Sequence, residues 1–322
     1  MERSYNITLK IIDILCFILY KTKMRKYIIV TDSCGDLSKE LRKEYNIEYV
    51  PMHMSYDGKD MVASLDFEEI SVTDFYNMMR EGTRFITSQV SAFDFRSYFE
   101  NYINEGYDVL YVSCSSALSS SIKTSYVVRD ELLKKYPNSK IICVDSLNSS
   151  QGLGLICKIA SRLRGEGKTI EEVANWIEDN KLKVNQECTV DKLTYLKRAG
   201  RVSAVSAFFG GILNVKPIII SDVRGNNAAI EKVKGRKVSY ERLVERMMDE
   251  YEPGDYKDIV IAHADCMEDA LEVKKLIISK LPDAEQYISI EYIGPIVGAS
   301  AGPGTLAIFF VGKEVTFDST KA

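Results

Sequence analysis

The chain is poor in histidine: His53 and His263 are its only two in 322 residues. A Ser-His-Asp triad would have to use one of them, and no histidine cluster exists to hold a metal. Seven cysteines (Cys16, Cys34, Cys114, Cys143, Cys157, Cys188 and Cys266) are scattered, odd in number and without a C-x-x-C pair. That pattern argues against a disulfide framework or zinc site and for reduced thiols in a cytoplasmic protein. Neither G-x-G-x-x-G nor G-x-x-x-x-G-K-[ST] occurs, so dinucleotide and ATP binding have no motif behind them. A G-x-S-x-G nucleophile elbow is also missing. The carboxylates show no spacing that singles out a catalytic pair or a metal cage. Basic runs are absent, and a net charge of −4 with a pI near 5.5 argues against a nucleic-acid surface.

What is present suits a soluble globular protein. With 46% hydrophobic and 27% charged residues, the chain can bury a full core as one large or two ordinary domains. Residues 5–20, "YNITLKIIDILCFILY", are apolar but interrupted by Lys10 and Asp13, too short and too charged for a spanning helix. No small-residue cleavage site follows them. Met24 opens "MRKYIIVTDS", which reads like a natural protein start, so within an N-terminal extension of residues 1–25 the first 23 are expected to be dispensable.

From there the chain alternates strands and helices. "KYIIVTDS" precedes the helix-like "LSKELRKEY", "DVLYVSCSS" precedes "SSIKTSYVVRDELLKKY", and "KIICVDS" precedes "SSQGLGLICKIASRLRGEG". This rhythm predicts a mostly parallel sheet with flanking helices. Asp57-Gly58 between strand-like pieces predicts a small inserted hairpin at about residues 50–66. Near residue 180 strands become more frequent, with hairpin-like turns expected at Gly225 and Gly235. The expected organisation is two α/β domains, residues 26–180 and residues 181–318, the second with a mixed or antiparallel sheet.

Three strands of the first half end alike, in "TDSCGD", "SCSSALSSS" and "VDSLNSS". Ligands of open α/β sheets bind beyond the carboxyl ends of strands, where helix N-termini offer free N–H donors. Ser, Thr and Asp are also the preferred helix caps, so one such loop alone reads as a cap. Three of them together with Thr87-Ser88-Gln89 point to a pocket for a carboxylate or phosphate. The second half has one cationic motif, "LKRAGRVS", with Lys197, Arg198 and Arg201 around Gly200, read as a solvated turn or an anion or partner site. A run of small and apolar residues follows, in which Gly210-Gly211 leaves space beside Phe208 and Phe209. "IGPIVGASAGPGTLA" is dense enough in glycine to imply close backbone approach to a loop or a ligand.

These blocks, "IVTDSCGDLS", "TSQVSAFDF", "SSALSSSIKTSY", "LTYLKRAGRVS", "KPII" and "IGPIVGASAGPGTLA", resemble the DegV family in the family's order, from about Lys26 to about Val315. The resemblance implies a two-domain α/β protein that holds a long-chain fatty acid in a buried tunnel and has no catalytic residue, metal or cofactor of its own. It implies presentation of the carboxylate to a separate fatty acid kinase subunit. An acyltransferase would then use the acyl phosphate for phospholipid synthesis, with transient membrane contact. The family's carboxylate contacts correspond to Thr87, Ser119 and Ser300, with Ser88, Gln89, Ser120 and Arg201 in supporting or partner-docking roles. This chain departs from the family at Ser300, commonly histidine, at Ser120-Ser121, where the family has Gly-Thr, and at Ala199. Two other readings compete: an esterase or phosphatase pairing a hydroxyl nucleophile with His263, and a carrier of another amphipathic anion. For a fatty acid, burial of each methylene contributes about 0.8 kcal/mol, so the tail supplies affinity. A hydrogen bond to the charged head adds about 1.5–3 kcal/mol and fixes its orientation.

Overall fold

The computed structural model describes residues 25–203 and 214–321. The N-terminal segment and the Phe208–Gly211 run therefore lie outside the described residues. Strands β1 (Tyr27–Asp32), β2 (Ile47–Val50), β6 (Asp108–Ser113) and β7 (Ile141–Asp145) form a parallel sheet in the order β2-β1-β6-β7. β1 and β6 are buried at every position, as continuous apolar strands covered on both faces must be. Helices α1 (Lys39–Tyr45), α3 (Ala92–Asn104), α4 (Ser121–Lys135), α5 (Ser150–Gly165) and α6 (Ile170–Asn180) join and cover them. The parallel order brings the carboxyl ends of β1, β6 and β7 to one edge of the sheet.

Asp57 and Gly58 both adopt positive φ (48° and 77°) and turn β3 (Met52–Tyr56) back into β4 (Lys59–Ala63). Two left-handed residues in a row give the turn a twist that matches the strands it joins. β5 (Ile86–Ser88) adds to β3 antiparallel, setting Thr87 opposite Met54 and Ser88 opposite His53. The strand-like Ile47–Val50 that leads into the hairpin is a member of the parallel sheet, paired with β1. α2 (Val72–Glu81) joins the hairpin to β5.

The second sheet has seven strands: β8 (Val184–Thr189), β9 (Val202–Ser203), β10 (Val215–Ser221), β11 (Asn227–Lys234), β12 (Ile259–His263), β13 (Ile288–Tyr292) and β14 (Leu306–Val311). Their order is β13-β12-β14-β8-β10-β11-β9, with parallel pairs β12–β13 and β9–β11 and antiparallel pairs elsewhere. Gly225 turns β10 into β11 as expected. Gly235 does not make a hairpin: at φ 97° it ends β11 and opens helix α8 (Arg236–Glu250). More than three helical turns of "RKVSYERLVERMM" follow it immediately, and helix wins. The remaining helices are α7 (Leu193–Ala199), α9 (Met267–Lys280) and α10 (Pro295–Ala301).

Helix α5 unites the sheets. Its sequence is apolar nearly all round, and a helix of that kind must be covered on every side. It packs on β1, β2 and β6 of one sheet and on β8, β12 and β14 of the other. A Cβ at Gly154 would lie 2.8 Å from the carbonyl of Gly35, so glycine there lets the loop after β1 reach the helix. Lys158, buried in α5, is neutralised by Asp258 at 3.1 Å. The chain leaves the first sheet at Asp145 and enters the second at Val184. Because α5 serves both cores, dividing the chain at residue 180 remains a proposal from sequence rhythm.

Candidate functional site

Two loops at the carboxyl edge of the parallel sheet are tied by one buried carboxylate. Asp32, at the end of β1, accepts from the backbone N–H of Cys34 (2.9 Å) and of Cys114 (3.0 Å) and from the Tyr111 hydroxyl (2.7 Å). Burial raises its pKa, while those hydrogen bonds pull in the opposite direction. The Ser33 hydroxyl links the first loop to the hairpin, donating to the Ala63 carbonyl and accepting from Met52 N–H. The second sheet closes on the same place. Ser115 donates to the carbonyl of Gly225 at 2.8 Å, and a Cβ at Gly225 would lie 2.2 Å from that hydroxyl.

These ties frame a cleft of about 380 Å³. Thr87, Ser88, Gln89, Ser119, Ser120, Arg201 and Ser300, residues from both halves of the chain, all line it. Thr87 comes from β5, Ser119 and Ser120 from the turn before α4, Arg201 from the residue after Gly200, and Ser300 from α10. Several of the polar groups are held only by local bonds. Ser119 Oγ pairs with Ser121 Oγ at 3.0 Å and accepts from Ser121 N–H at 3.3 Å. Ser300 reaches back to the Ile296 carbonyl at 3.4 Å, and Ser88 donates to the His53 carbonyl at 3.3 Å. Gln89 is positioned by a 2.8 Å bond to Thr124. The Thr87 hydroxyl has no hydrogen-bond partner among the described residues. Ser120 caps α4 without a side-chain bond, so the first turn keeps donors to offer.

Sequence reasoning missed the floor of this cleft, formed by Cys34, Met52 and Cys114. Cys34 lies 3.7 Å from the Met52 sulfur. A hydrogen bond with Cys114, together with burial, holds the Cys34 thiol well above its usual pKa. It thus gives the cleft a neutral, weakly polar wall. Asn227 on β11 was missed as well; no local motif announces a strand residue that becomes a wall only through tertiary packing.

The cleft adjoins an apolar pocket of about 40 Å³ between α5 and the second sheet, lined by Val190, Leu196, Ile219, Ala307 and Phe309 among others. Ser149, Asn227 and Val297 line both spaces. The glycine-rich stretch around α10 brings the halves into contact here. A Cβ at Gly298 would lie 2.4 Å from the Tyr76 hydroxyl, which donates to the Ile293 carbonyl at 2.6 Å. The close approach implied by those glycines is to this protein's own side chains.

His263 is elsewhere. It is fully buried at the end of β12, its Nδ1 accepts from Cys266 N–H at 3.2 Å, and it lines neither the cleft nor the apolar pocket. Burial lowers its pKa, against the pull of Asp265. The esterase reading therefore loses His263 as the base for the hydroxyls of the cleft. His53 is also engaged, with Nε2 3.1 Å from Asp94. No group of three or more His, Cys, Asp or Glu among the described residues is arranged to hold a metal ion. No described helix is long and apolar enough to cross a membrane.

The frame is thus two sheets of an α/β fold, with a hydroxyl-lined cleft beside an apolar space. The DegV family model, whose description is of an uncharacterised protein family, matches residues 26–313, and the chain belongs to that family. A DegV domain-containing protein of Clostridium perfringens is 38% identical over 289 residues, covering 90% of this chain and 98% of that one. A DegV lipid-binding protein from Thermotoga maritima superposes with a TM-score of 0.75 at 25% identity, over 90% of this chain and 100% of that one. A stearic acid-binding protein from Eubacterium ventriosum shares the fold at a TM-score of 0.77 and 23% identity, over 89% and 98%.

Proposed function

We propose that this protein binds one long-chain fatty acid, with the carboxylate in the hydroxyl-lined cleft and the acyl chain in the apolar pocket. The observation that carries this reading is the adjacency of the two spaces, which share Ser149, Asn227 and Val297 as walls. The cleft offers Thr87, Ser119 and Ser300 hydroxyls to a carboxylate, and the pocket offers a wall of aliphatic side chains to a tail. The lipid-binding relatives support the ligand class. Ligand pockets hold about 300–1,000 Å³, so the apolar space of about 40 Å³ has to widen when a long chain enters.

On this reading the protein is a binding subunit. Its carboxylate-holding groups are donors, and no histidine or carboxylate lines the cleft among the described residues. Phosphorylation falls to a separate ATP-using kinase, which transfers a phosphoryl group to the carboxylate oxygen and releases ADP. The acyl phosphate then passes to an acyltransferase of phospholipid synthesis. The six described cysteines are unpaired, in keeping with a cytoplasmic location.

The test is a titration of delipidated protein with a long-chain fatty acid, followed by addition of a fatty acid kinase and ATP. One equivalent bound and acyl phosphate formed is the expected result. Binding with no acyl phosphate would leave a carrier without the kinase role, and no binding would overturn the reading.

A further inference from the structure

We propose that the floor of the cleft is a site for a soft monovalent metal ion, copper(I), held by the Cys34 and Cys114 sulfurs with the Met52 thioether as third donor. Three elements deliver these residues: Cys34 lies in the turn after β1, Cys114 directly follows β6, and Met52 opens β3. All three line the cleft, and no other cysteine or methionine does so among the described residues. Cys34 Sγ lies 3.7 Å from Met52 Sδ and shares a hydrogen bond with the Cys114 thiol. The site stands apart from the fatty-acid reading, because its ligands are the protein's own side chains.

The backbone beneath each sulfur is fixed. One carboxylate oxygen of Asp32 accepts from Cys34 N–H at 2.9 Å and the other from Cys114 N–H at 3.0 Å, so a single buried group makes the two cysteines neighbours. Ser33 does the same for the thioether: its Oγ accepts from Met52 N–H at 2.9 Å and donates to the Ala63 carbonyl at 2.8 Å. Bonds of this kind behind a metal's ligands set their orientation before the ion arrives. Cys34, Cys114 and Met52 are all buried, so an ion among them is reached only from the cleft. Other thiols lack this company. Cys188 lines the apolar pocket and Cys266 the cleft beside Arg236, each without a second sulfur in that lining.

The donor set selects the ion. Hard cations take oxygen ligands, and no Asp or Glu lines the cleft among the described residues. Structural zinc is almost always four-coordinate, and the floor offers three sulfurs and no imidazole. Thiolate and thioether sulfur together suit copper(I), which three donors can satisfy. Binding exchanges protons for the ion with no change of oxidation state. Two S–H bonds break, two Cu–S bonds form and both protons leave to solvent, while Met52 donates a sulfur lone pair. A coordinating thiol is deprotonated outright. The ion would occupy the cleft that Thr87, Ser119 and Ser300 also line, so copper(I) and a carboxylate head oppose each other there.

The probe is copper(I) supplied without oxygen as its bathocuproine disulfonate complex, and transfer to the protein is read from loss of that complex's colour. Wild type should take one equivalent per chain. Cys34→Ser and Cys114→Ser should each lower the affinity by about a hundredfold or more, since even the outer partners of metal ligands carry about 10–100-fold. Met52→Leu, which conserves volume, should lower it by about tenfold. X-ray absorption at the copper edge should show three sulfur neighbours in wild type and two in Met52→Leu, a change that loss of fold does not imitate. Copper-loaded wild type should bind fatty acid more weakly than copper-free protein. Wild type that takes no copper(I), or cysteine variants that hold it equally well, would overturn the proposal. So would a fatty-acid affinity that ignores copper. If no fatty acid binds even without copper, the proposed function fails, and the ion site is decided by the copper titrations alone.

Discussion

Of three clefts of similar size among the described residues, one of about 380 Å³ lies at the edge of the parallel sheet and one of about 410 Å³ beside Arg80 and Arg236. They differ in how their polar groups are spent. In the second, Arg80 holds Asp265 at 2.6 Å, Arg236 holds Asp269 at 3.0 Å, and Asp191 is taken by Lys216 at 2.6 Å. In the first, Thr87 has no hydrogen-bond partner among the described residues, and Ser88 and Ser300 rest on long bonds to nearby carbonyls. Volume does not separate a binding site from a crevice here; unused hydrogen-bonding capacity does. The first cleft also adjoins an apolar pocket through shared walls.

The largest effect should come from closing that connection. Val297→Trp, at the junction, is expected to cut fatty-acid affinity by at least about tenfold, because each methylene denied burial loses about 0.8 kcal/mol. Binding isotherms on protein whose melting temperature is checked alongside decide it, and unchanged affinity would place the tail elsewhere. Next, Thr87→Ala and Ser119→Ala each remove a donor worth about 1.5–3 kcal/mol to a charged acceptor but leave the tail contacts alone. Acyl-phosphate yield with kinase and ATP should therefore fall more than bound lipid per chain. Equal losses would contradict a division of labour between head and tail.

A third effect reads a buried carboxylate in the loop after β1. Asp36 is buried, accepts from Ser150 at 2.6 Å, and burial holds its pKa up at about 8. The folded state then binds the proton more tightly than the unfolded state. Its contribution to stability is complete below about pH 4 and is lost as pH rises towards about 8, at up to about 1.4 kcal/mol per pH unit. Asp36→Asn should flatten this decline in thermal melts from pH 5 to pH 8.5; parallel slopes would show that Asp36 does not titrate there. The smallest effect belongs to the second cleft. Arg80→Ala breaks a partly exposed ion pair, so stability should fall by about 1 kcal/mol or less with fatty-acid affinity within about twofold of wild type. A larger affinity loss would erase the contrast between the clefts.

The sequence shows this contrast unevenly. Hydroxyl clusters at three strand ends are local patterns, and the parallel sheet aligns those ends on one edge. Asp57-Gly58 carries its turn in two residues. Ile47–Val50 is harder to read, since four residues beside a hairpin hold too little periodicity to show which sheet takes them. Gly235 reads as a turn whether a strand or a helix follows it. Position 300 was reached through resemblance; nothing in "GASAG" alone marks a site. That Cys34, Met52 and Cys114 meet is a fact of tertiary structure, since they share a floor only once the hairpin folds over the loops.

The most direct test of the account is denaturing mass spectrometry of lipid extracted from protein purified under native conditions, with stoichiometry measured per chain. The account predicts about one long-chain fatty acid per chain, and its displacement when fatty acid of another length is added. Protein that carries no lipid and takes up no added fatty acid would contradict it.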